Sequence, residues 1–296
     1  MKKNNKVIVF GGAGFLGSHI SDCLTRRGFE VTIFDIKKSP YLKSKQKMII
    51  GDILDNSQID KAIKGHNIVY NFAGISDIDE CHNRPIDTLK YNLIGNAQIL
   101  HWSFKNKVSK YVFASSAYVY SDSGSFYRIS KQASESFIES FSKINNIDYV
   151  ILRYGSLYGD RADERNSIYK ILLSALTKKK IIYQGTGDER REYINVKDAA
   201  ELSVKALDKD YKNQILMLTG NNSLKYSDLI SMINEILKNK VKIEYKRSLN
   251  KTHYKMSPYS FNPRAAKKIT SNQHIDLGQG LLTLIEKIYN DLHTKE

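Results

Sequence analysis

Short apolar runs rich in β-branched residues alternate along the first half of the chain with longer stretches of helical period. The runs lie at Val7 to Phe10, Val31 to Phe34, Met48 to Ile50, Ile68 to Phe72, Tyr111 to Ala114 and Tyr149 to Leu152. Between and after them, Phe137, Ile138 and Phe141 fall on one helix face following Ala133, and Ile168, Ile171, Leu172 and Ala175 do the same later. Continuous apolar strands separated by amphipathic helices predict βαβ units, because a parallel strand is buried on both faces and its crossover needs a helix. The expected fold class is therefore α/β, with a doubly wound parallel sheet. Beyond about Gly155 the rhythm loosens into a helix near 164–178, a strand at Ile181 to Tyr183 and shorter elements, which predicts a second, smaller α/β region.

The first strand runs directly into Gly11-Gly12-Ala13-Gly14-Phe15-Leu16-Gly17, and helix-compatible residues follow. In that setting Gly11 permits a tight turn, Gly14 lets the backbone N–H groups around Phe15 and Leu16 approach a pyrophosphate, and Gly17 allows helix and strand to pack closely. Asp35 closes the second strand 18 residues after Gly17, near the spacing at which a carboxylate accepts the ribose hydroxyls of a dinucleotide. A carboxylate there repels a 2′-phosphate and favours NAD; Lys37 and Lys38 leave NADP as the less favoured option. Asp52, with Ile53 beside it, is placed either to accept from the adenine amino group or to cap the next helix. Ala73 and Gly74 end the fourth strand with small side chains that leave room for a cofactor across the strand ends. These features predict a Rossmann-type, NAD-binding domain over residues 1–155, with a later return near 193–220. Residues 156–296 are expected to be mainly a substrate-binding region.

Oxidising an alcohol carbon by hydride removal requires a base for the hydroxyl proton, a group that lowers the pKa of that base, and a donor that orients the oxygen. A tyrosine one helical turn before a lysine supplies the first two, since the ammonium favours a phenolate whose ordinary pKa is about 10. The spacing occurs at Tyr41/Lys45, Tyr127/Lys131 and Tyr193/Lys197. Tyr127/Lys131 opens an amphipathic helix just after the fifth strand and its Ala114-Ser115-Ser116-Ala117 exit, whereas the other two pairs fall in a connection and at a strand end. The expected triad is Ser116, Tyr127 and Lys131, with Tyr127 and Lys131 also against the cofactor.

Composition narrows the setting. A chain of 296 residues with 41% hydrophobic content buries a full core. No apolar run reaches the ~18 residues of a membrane helix, and the basic N-terminus leads into only four apolar residues, which read as a first strand. Cys23 and Cys81 have neither zinc spacing nor a disulfide framework, so no metal is expected and the thiols suit a cytoplasm. The formal charge of +15 is carried mostly by dispersed lysines. It reads as a solvated surface with no membrane or nucleic-acid partner, although a few charges would help gather an anionic substrate.

These motifs resemble the NAD-dependent epimerase/dehydratase family, the extended short-chain dehydrogenases, and within it the UDP-glucose 4-epimerase-like enzymes. The resemblance extends to Tyr91-Asn92-Leu93-Ile94-Gly95-Asn96, Leu152 to Gly159, Gly185-Thr186-Gly187 and Arg191 to Asp198. It implies that Tyr127 is the base, that Lys131 also grips the nicotinamide ribose, that Ser116 bonds the reacting oxygen and that Asn92 lies at the cofactor. It further implies a nucleoside-diphosphate sugar substrate, with Arg191 on the diphosphate and Ser156 where an asparagine usually stands. A homodimer through helices around residues 84–106 and 127–145 is implied as well. The chain departs from the family in the 11-residue step from Ser116 to Tyr127, about a dozen residues short, and in the stretch from His253 to Pro263, which looks like that of short members from surface-polysaccharide clusters.

Members that eliminate water carry an acidic pair just after the serine, where this chain has Ala117 and Tyr118. The expected chemistry is tightly held NAD acting at C4 of a UDP- or GDP-linked sugar, as a 4-epimerase or a 4-dehydrogenase/reductase. The alternative from another class is a non-catalytic dinucleotide-sensing or nucleic-acid-binding regulator.

Overall fold

The computed structural model describes residues 6–220 and 223–246; the stretch from His253 to Pro263 lies outside the described residues. Seven parallel strands form the main sheet in the order β10-β6-β5-β4-β1-β2-β3. They are β1 (Lys6–Phe10), β2 (Glu30–Asp35), β3 (Gln46–Ile50), β4 (Ile68–Asn71), β5 (Lys110–Ser116), β6 (Asp148–Tyr154) and β10 (Gln214–Leu218). The six apolar runs lie in strands of this sheet, apart from Phe72, which falls one residue past the end of β4, and the doubly wound Rossmann-type architecture is realised.

Both faces of the sheet are covered, and β1 shows why its sequence is apolar without alternation. Val7 and Val9 enter one core with Ile20 and Leu24 of α1 (Phe15–Arg26) and Ala200 and Val204 of α8 (Val196–Lys205). Ile8 and Phe10 enter the other, with Ile59 of α2 (Asn56–Ile63), Ile99 of α5 (Gly95–Lys105) and Ile138 of α6 (Ser125–Asn145). All four β1 side chains are fully buried, each stabilising the fold by roughly 1.5–3 kcal/mol.

The chain leaves β1 outward to β2 and β3, then returns to β4 on its other side, so the order reverses between β1 and β4. Ligands of open α/β sheets bind at the carboxyl ends of the strands where this reversal leaves a crevice.

The helical stretch expected around residues 84–106 is built in pieces: α4 (Pro85–Leu89), a π turn at Lys90–Ile94, and α5. The π turn carries Asn92, which is buried. Downstream, β7 (Ser156–Tyr158), β9 (Arg190–Asn195) and β11 (Ser223–Lys225) make a small sheet, and β8 (Lys180–Gln184) pairs with β12 (Lys242–Lys246). Helices α7 (Ser167–Lys178) and α9 (Tyr226–Ile236) share a third core with them through Ile168, Ala175, Ile230 and Ile233. Helix α3 (Ile78–Asn83) lies between β4 and α4 in chain order. Among the described residues no helix is long and apolar enough to cross a membrane. Cys23 and Cys81 are both buried and unbridged.

Candidate active site

The glycine loop sits at the reversal point. Gly11 has φ +75°, and a Cβ there would come within 2.6 Å of the Ala73 nitrogen, so β1 can exit against the β4 exit only through glycine. A Cβ on Gly17 would meet the Gly11 carbonyl oxygen at 2.3 Å. Gly14 caps α1 without any side-chain hydrogen bond. The N–H groups of the first turn, from Phe15 and Leu16 onward, therefore meet no capping side chain, the arrangement that receives a phosphate. Asp35 ends β2, where its Oδ2 accepts from Ala13 N at 3.0 Å and ties the acid to the loop. A cradle that Cβ atoms would fill, an uncapped helix start and a carboxylate at the loop's edge together fit the pyrophosphate and ribose of a dinucleotide.

Asp52 lies two residues past the end of β3, and its Oδ1 accepts from Leu54 N at 2.9 Å. The cap of α2 is Asp55, which accepts from Gln58 N, so of the two roles considered for Asp52, the helix cap belongs to Asp55. Ile53 is buried and would obstruct any side chain at Gly95 of α5. At the β4 exit, Ala73 N donates to Asn71 Oδ1 at 3.1 Å. Gly74 has φ +139°, with its missing Cβ 2.4 Å from Asn92 Oδ1.

Asn92 acts as a bracket. Its Oδ1 accepts from Ile75 N at 2.7 Å, while its Nδ2 donates to Ile75 O at 2.9 Å and to Ser130 Oγ at 3.1 Å. The loop after β4 is thereby fastened to the helix that carries Tyr127 and Lys131.

Lys131 is 7% exposed, and its Nζ donates to Ala114 O of β5 at 2.8 Å. The ammonium also lies 5.7 Å from the Tyr127 ring centroid and 4.8 Å from that of Phe113. Burial lowers its pKa from 10.5 to about 8, against a smaller upward pull from Cys81 and Glu135. Ser116 ends β5 and is buried, and its Oγ accepts from Tyr118 N at 3.3 Å. The Tyr118 ring meets the Tyr127 ring edge-on, with centroids 6.3 Å apart. Ser116, Tyr127 and Lys131 thus belong to one knot at the carboxyl end of β5. Of the other two pairs, Tyr41 lies under the Arg161 guanidinium and Tyr193 sits on β9 of the small sheet.

Ser156 and Arg191 lie on that small sheet, Ser156 on β7 and Arg191 on β9. Ser156 comes two residues after Tyr154, which pairs with Ser116 across the β5–β6 ladder. Arg191 is 9% exposed, and its Nη1 donates to Arg190 O at 2.9 Å.

Sequence reasoning missed the ion pair beneath this knot. Glu135, one turn after Lys131, is buried; Arg153 Nε donates to its Oε1 at 3.0 Å and Arg153 Nη2 to its Oε2 at 2.5 Å. Ser115 Oγ also donates to Glu135, and Arg153 reaches the Tyr120 hydroxyl. Two opposite charges at positions patterned for burial, one on a helix and one ending an apolar strand, were the available signal.

A family model described as the NAD dependent epimerase/dehydratase family matches residues 7–218. A putative UDP-glucose 4-epimerase of Methanocaldococcus jannaschii is 26% identical, over 97% of this chain and 100% of its own length. Among solved structures, a UDP-N-acetylglucosamine 4-epimerase of Methanobrevibacter ruminantium, in complex with UDP-N-acetylmuramic acid, superposes with a TM-score of 0.80 at 25% identity, covering 88% of this chain and 90% of that one. A UDP-glucuronic acid 4-epimerase of Bacillus cereus, in complex with UDP-glucuronic acid and NAD, shares the fold with a TM-score of 0.78 at 22% identity, covering 88% and 95%. With a parallel sheet, a dinucleotide cradle and a matched segment spanning β1 to β10, this chain belongs to the NAD dependent epimerase/dehydratase family.

Proposed function

We propose that the chain is an NAD-dependent enzyme acting at the C4 hydroxyl of a UDP- or GDP-linked sugar, as a 4-epimerase or a 4-dehydrogenase/reductase. The observation that carries the reading is the pairing of Tyr127 with buried Lys131 at the exit of the strand that ends in Ser116. Relatives and neighbours named as UDP-sugar 4-epimerases support the substrate class and favour the epimerase outcome.

Bound NAD supplies the hydride acceptor. The glycine loop and the start of α1 would hold its pyrophosphate, Asp35 its adenosine ribose, and Asp52, Ile53, Ala73, Gly74 and Asn92 the remaining borders. Asp35 disfavours a 2′-phosphate by charge repulsion. Tyr127 takes the proton from the sugar hydroxyl while Ser116 orients its oxygen. Lys131 stabilises the phenolate that accepts this proton and becomes the phenol, because an ammonium held close in a low-dielectric site interacts strongly with it. Arg191 and Ser156 would meet the substrate diphosphate and sugar, a task for which a guanidinium fork is suited.

We also place the reaction in the cytoplasm, in cell-surface polysaccharide synthesis, and the active species as a homodimer. The dimer reading is supported by Phe104, Phe137 and Ile144, which are exposed on α5 and α6, and by stacking of Phe137 on Phe141 at 5.8 Å.

The test is turnover of a panel of UDP- and GDP-hexoses by purified protein, with NAD(H) measured in the preparation. One sugar should be interconverted or oxidised at C4, and Tyr127→Phe should abolish that reaction. Full activity in Tyr127→Phe would refute the mechanism.

A further inference from the structure

The residues between Ser116 and Tyr127 are gripped by the helix that follows them. Gln132 Nε2 donates to Val119 O at 2.7 Å, and Arg128 Nη1 donates to Ser121 O at 2.8 Å. Arg153, paired with Glu135, lies over the Tyr120 ring at 4.4 Å. Arg128, Gln132 and Glu135 recur at helical spacing, so one stripe of α6 holds the link while the adjacent stripe presents Tyr127 and Lys131.

The link ends in a turn that is closed on itself. Ser121 N donates to Tyr118 O at 2.9 Å, and Ser123 N donates to Ser121 Oγ at 2.9 Å. Gly124 follows with φ +99°, and a Cβ on it would stand 2.6 Å from Tyr118 Cδ1. Glycine is required there twice over, by the backbone conformation and by the ring behind it. Tyr118 therefore packs against the turn at Gly124 and also meets the Tyr127 ring, with the ring planes at 79°.

We propose that Tyr118, wedged between Gly124 and Tyr127, is a positioning residue that sets the orientation of the Tyr127 phenol, and that the short Ser121–Gly124 turn holds it in place. The inference rests on Tyr127 being the base. A proton acceptor must lie within hydrogen-bond reach of the hydroxyl it serves, and a displacement of about 1 Å costs up to roughly 100-fold in rate. In a chain whose step from serine to tyrosine is only 11 residues, an aromatic contact supplies this restraint over a short distance.

The experiment compares Tyr118→Phe, Tyr118→Ala and Gly124→Ala in the NAD-loaded protein, with Tyr127→Phe as reference. Two readouts are taken: the phenol titration of Tyr127 by ultraviolet difference against Tyr127→Phe, and kcat and KM on the sugar that turns over. Tyr118→Ala and Gly124→Ala should shift the Tyr127 titration and lower kcat by about 10- to 100-fold, with KM changing much less. Tyr118→Phe keeps the ring and should restore both. The wedge is refuted if Tyr118→Ala leaves titration and kcat unchanged, or if Tyr118→Phe is as damaged as Tyr118→Ala. Should Gly124→Ala fail to fold, the Phe and Ala variants at Tyr118 decide alone. If Tyr127→Phe is fully active, the reading of Tyr127 as base fails, and the titration still decides whether Tyr118 positions the ring.

Discussion

Replacing Lys131 with methionine should remove the chemistry and yet stabilise the cofactor-free protein at neutral pH. Burial lowers the pKa of this ammonium from 10.5 to about 8. At ~1.4 kcal/mol per pH unit of difference, the charged form costs about 3 kcal/mol more in the folded chain than in the unfolded one. Methionine fills a similar volume without that cost, but it leaves Ala114 O without its 2.8 Å donor, a loss of about 1 kcal/mol. The expected net gain is roughly 2 kcal/mol. Its pH dependence has a definite sign. Below about 8 both states of the wild type hold the proton and the cost is fully present. Between about 8 and 10.5 the folded state has released the proton and the unfolded state has not, so wild-type stability rises with pH and the cost disappears. Urea unfolding of NAD-stripped wild type and Lys131→Met at steps from neutral pH to about 10 measures the gap. Lys131→Met should lead at neutral pH and lose its lead as the pH rises. A variant that is less stable at neutral pH, with a gap that stays flat, would refute the account of a buried, desolvated ammonium.

Glu135→Ala should destabilise the fold by about 3–5 kcal/mol, since it strands a guanidinium that is 13% exposed; a loss under ~1 kcal/mol in chemical denaturation would refute the buried pair, and adding Arg153→Met should recover much of the loss. Gly17→Ala drives a Cβ to 2.3 Å from the Gly11 carbonyl oxygen, so it should cost about 1–3 kcal/mol of stability and lower NAD affinity in a fluorescence titration; unchanged affinity would contradict the cradle. Phe137→Glu places a charge in the exposed aromatic cluster of α5 and α6; if the wild type sediments as the proposed dimer, the variant should sediment as a monomer, whereas an unaltered sedimentation profile would refute an interface on these helices.

Much of the candidate site was legible because its parts are local. A glycine turn, a strand-closing acid and a tyrosine one turn before a lysine each lie within a few residues, where backbone geometry dictates side-chain placement. Glu135, Arg153 and Tyr118 were not legible as site neighbours. Glu135 meets Arg153 across 18 residues, through packing of α6 on the exit of β6, and a carboxylate on an otherwise serine-rich helix carries no mark of the strand it will face. Of the two roles left open for Asp52, the helix cap falls to Asp55 for a related reason: both are acids ahead of α2, and the geometry of the intervening turn selects between them.

The sequence by itself determined the parallel sheet, because buried parallel strands must be apolar without alternation, and it singled out Tyr127/Lys131 by position along the chain. Tertiary structure decided what that pair experiences. Lys131 becomes a desolvated ammonium only when α6 seats it against Ala114 and Phe113. Tyr127 meets Tyr118 only when the Gly124 turn closes. Burial and orientation depend on which elements pack together, and spacing along the chain does not encode that packing.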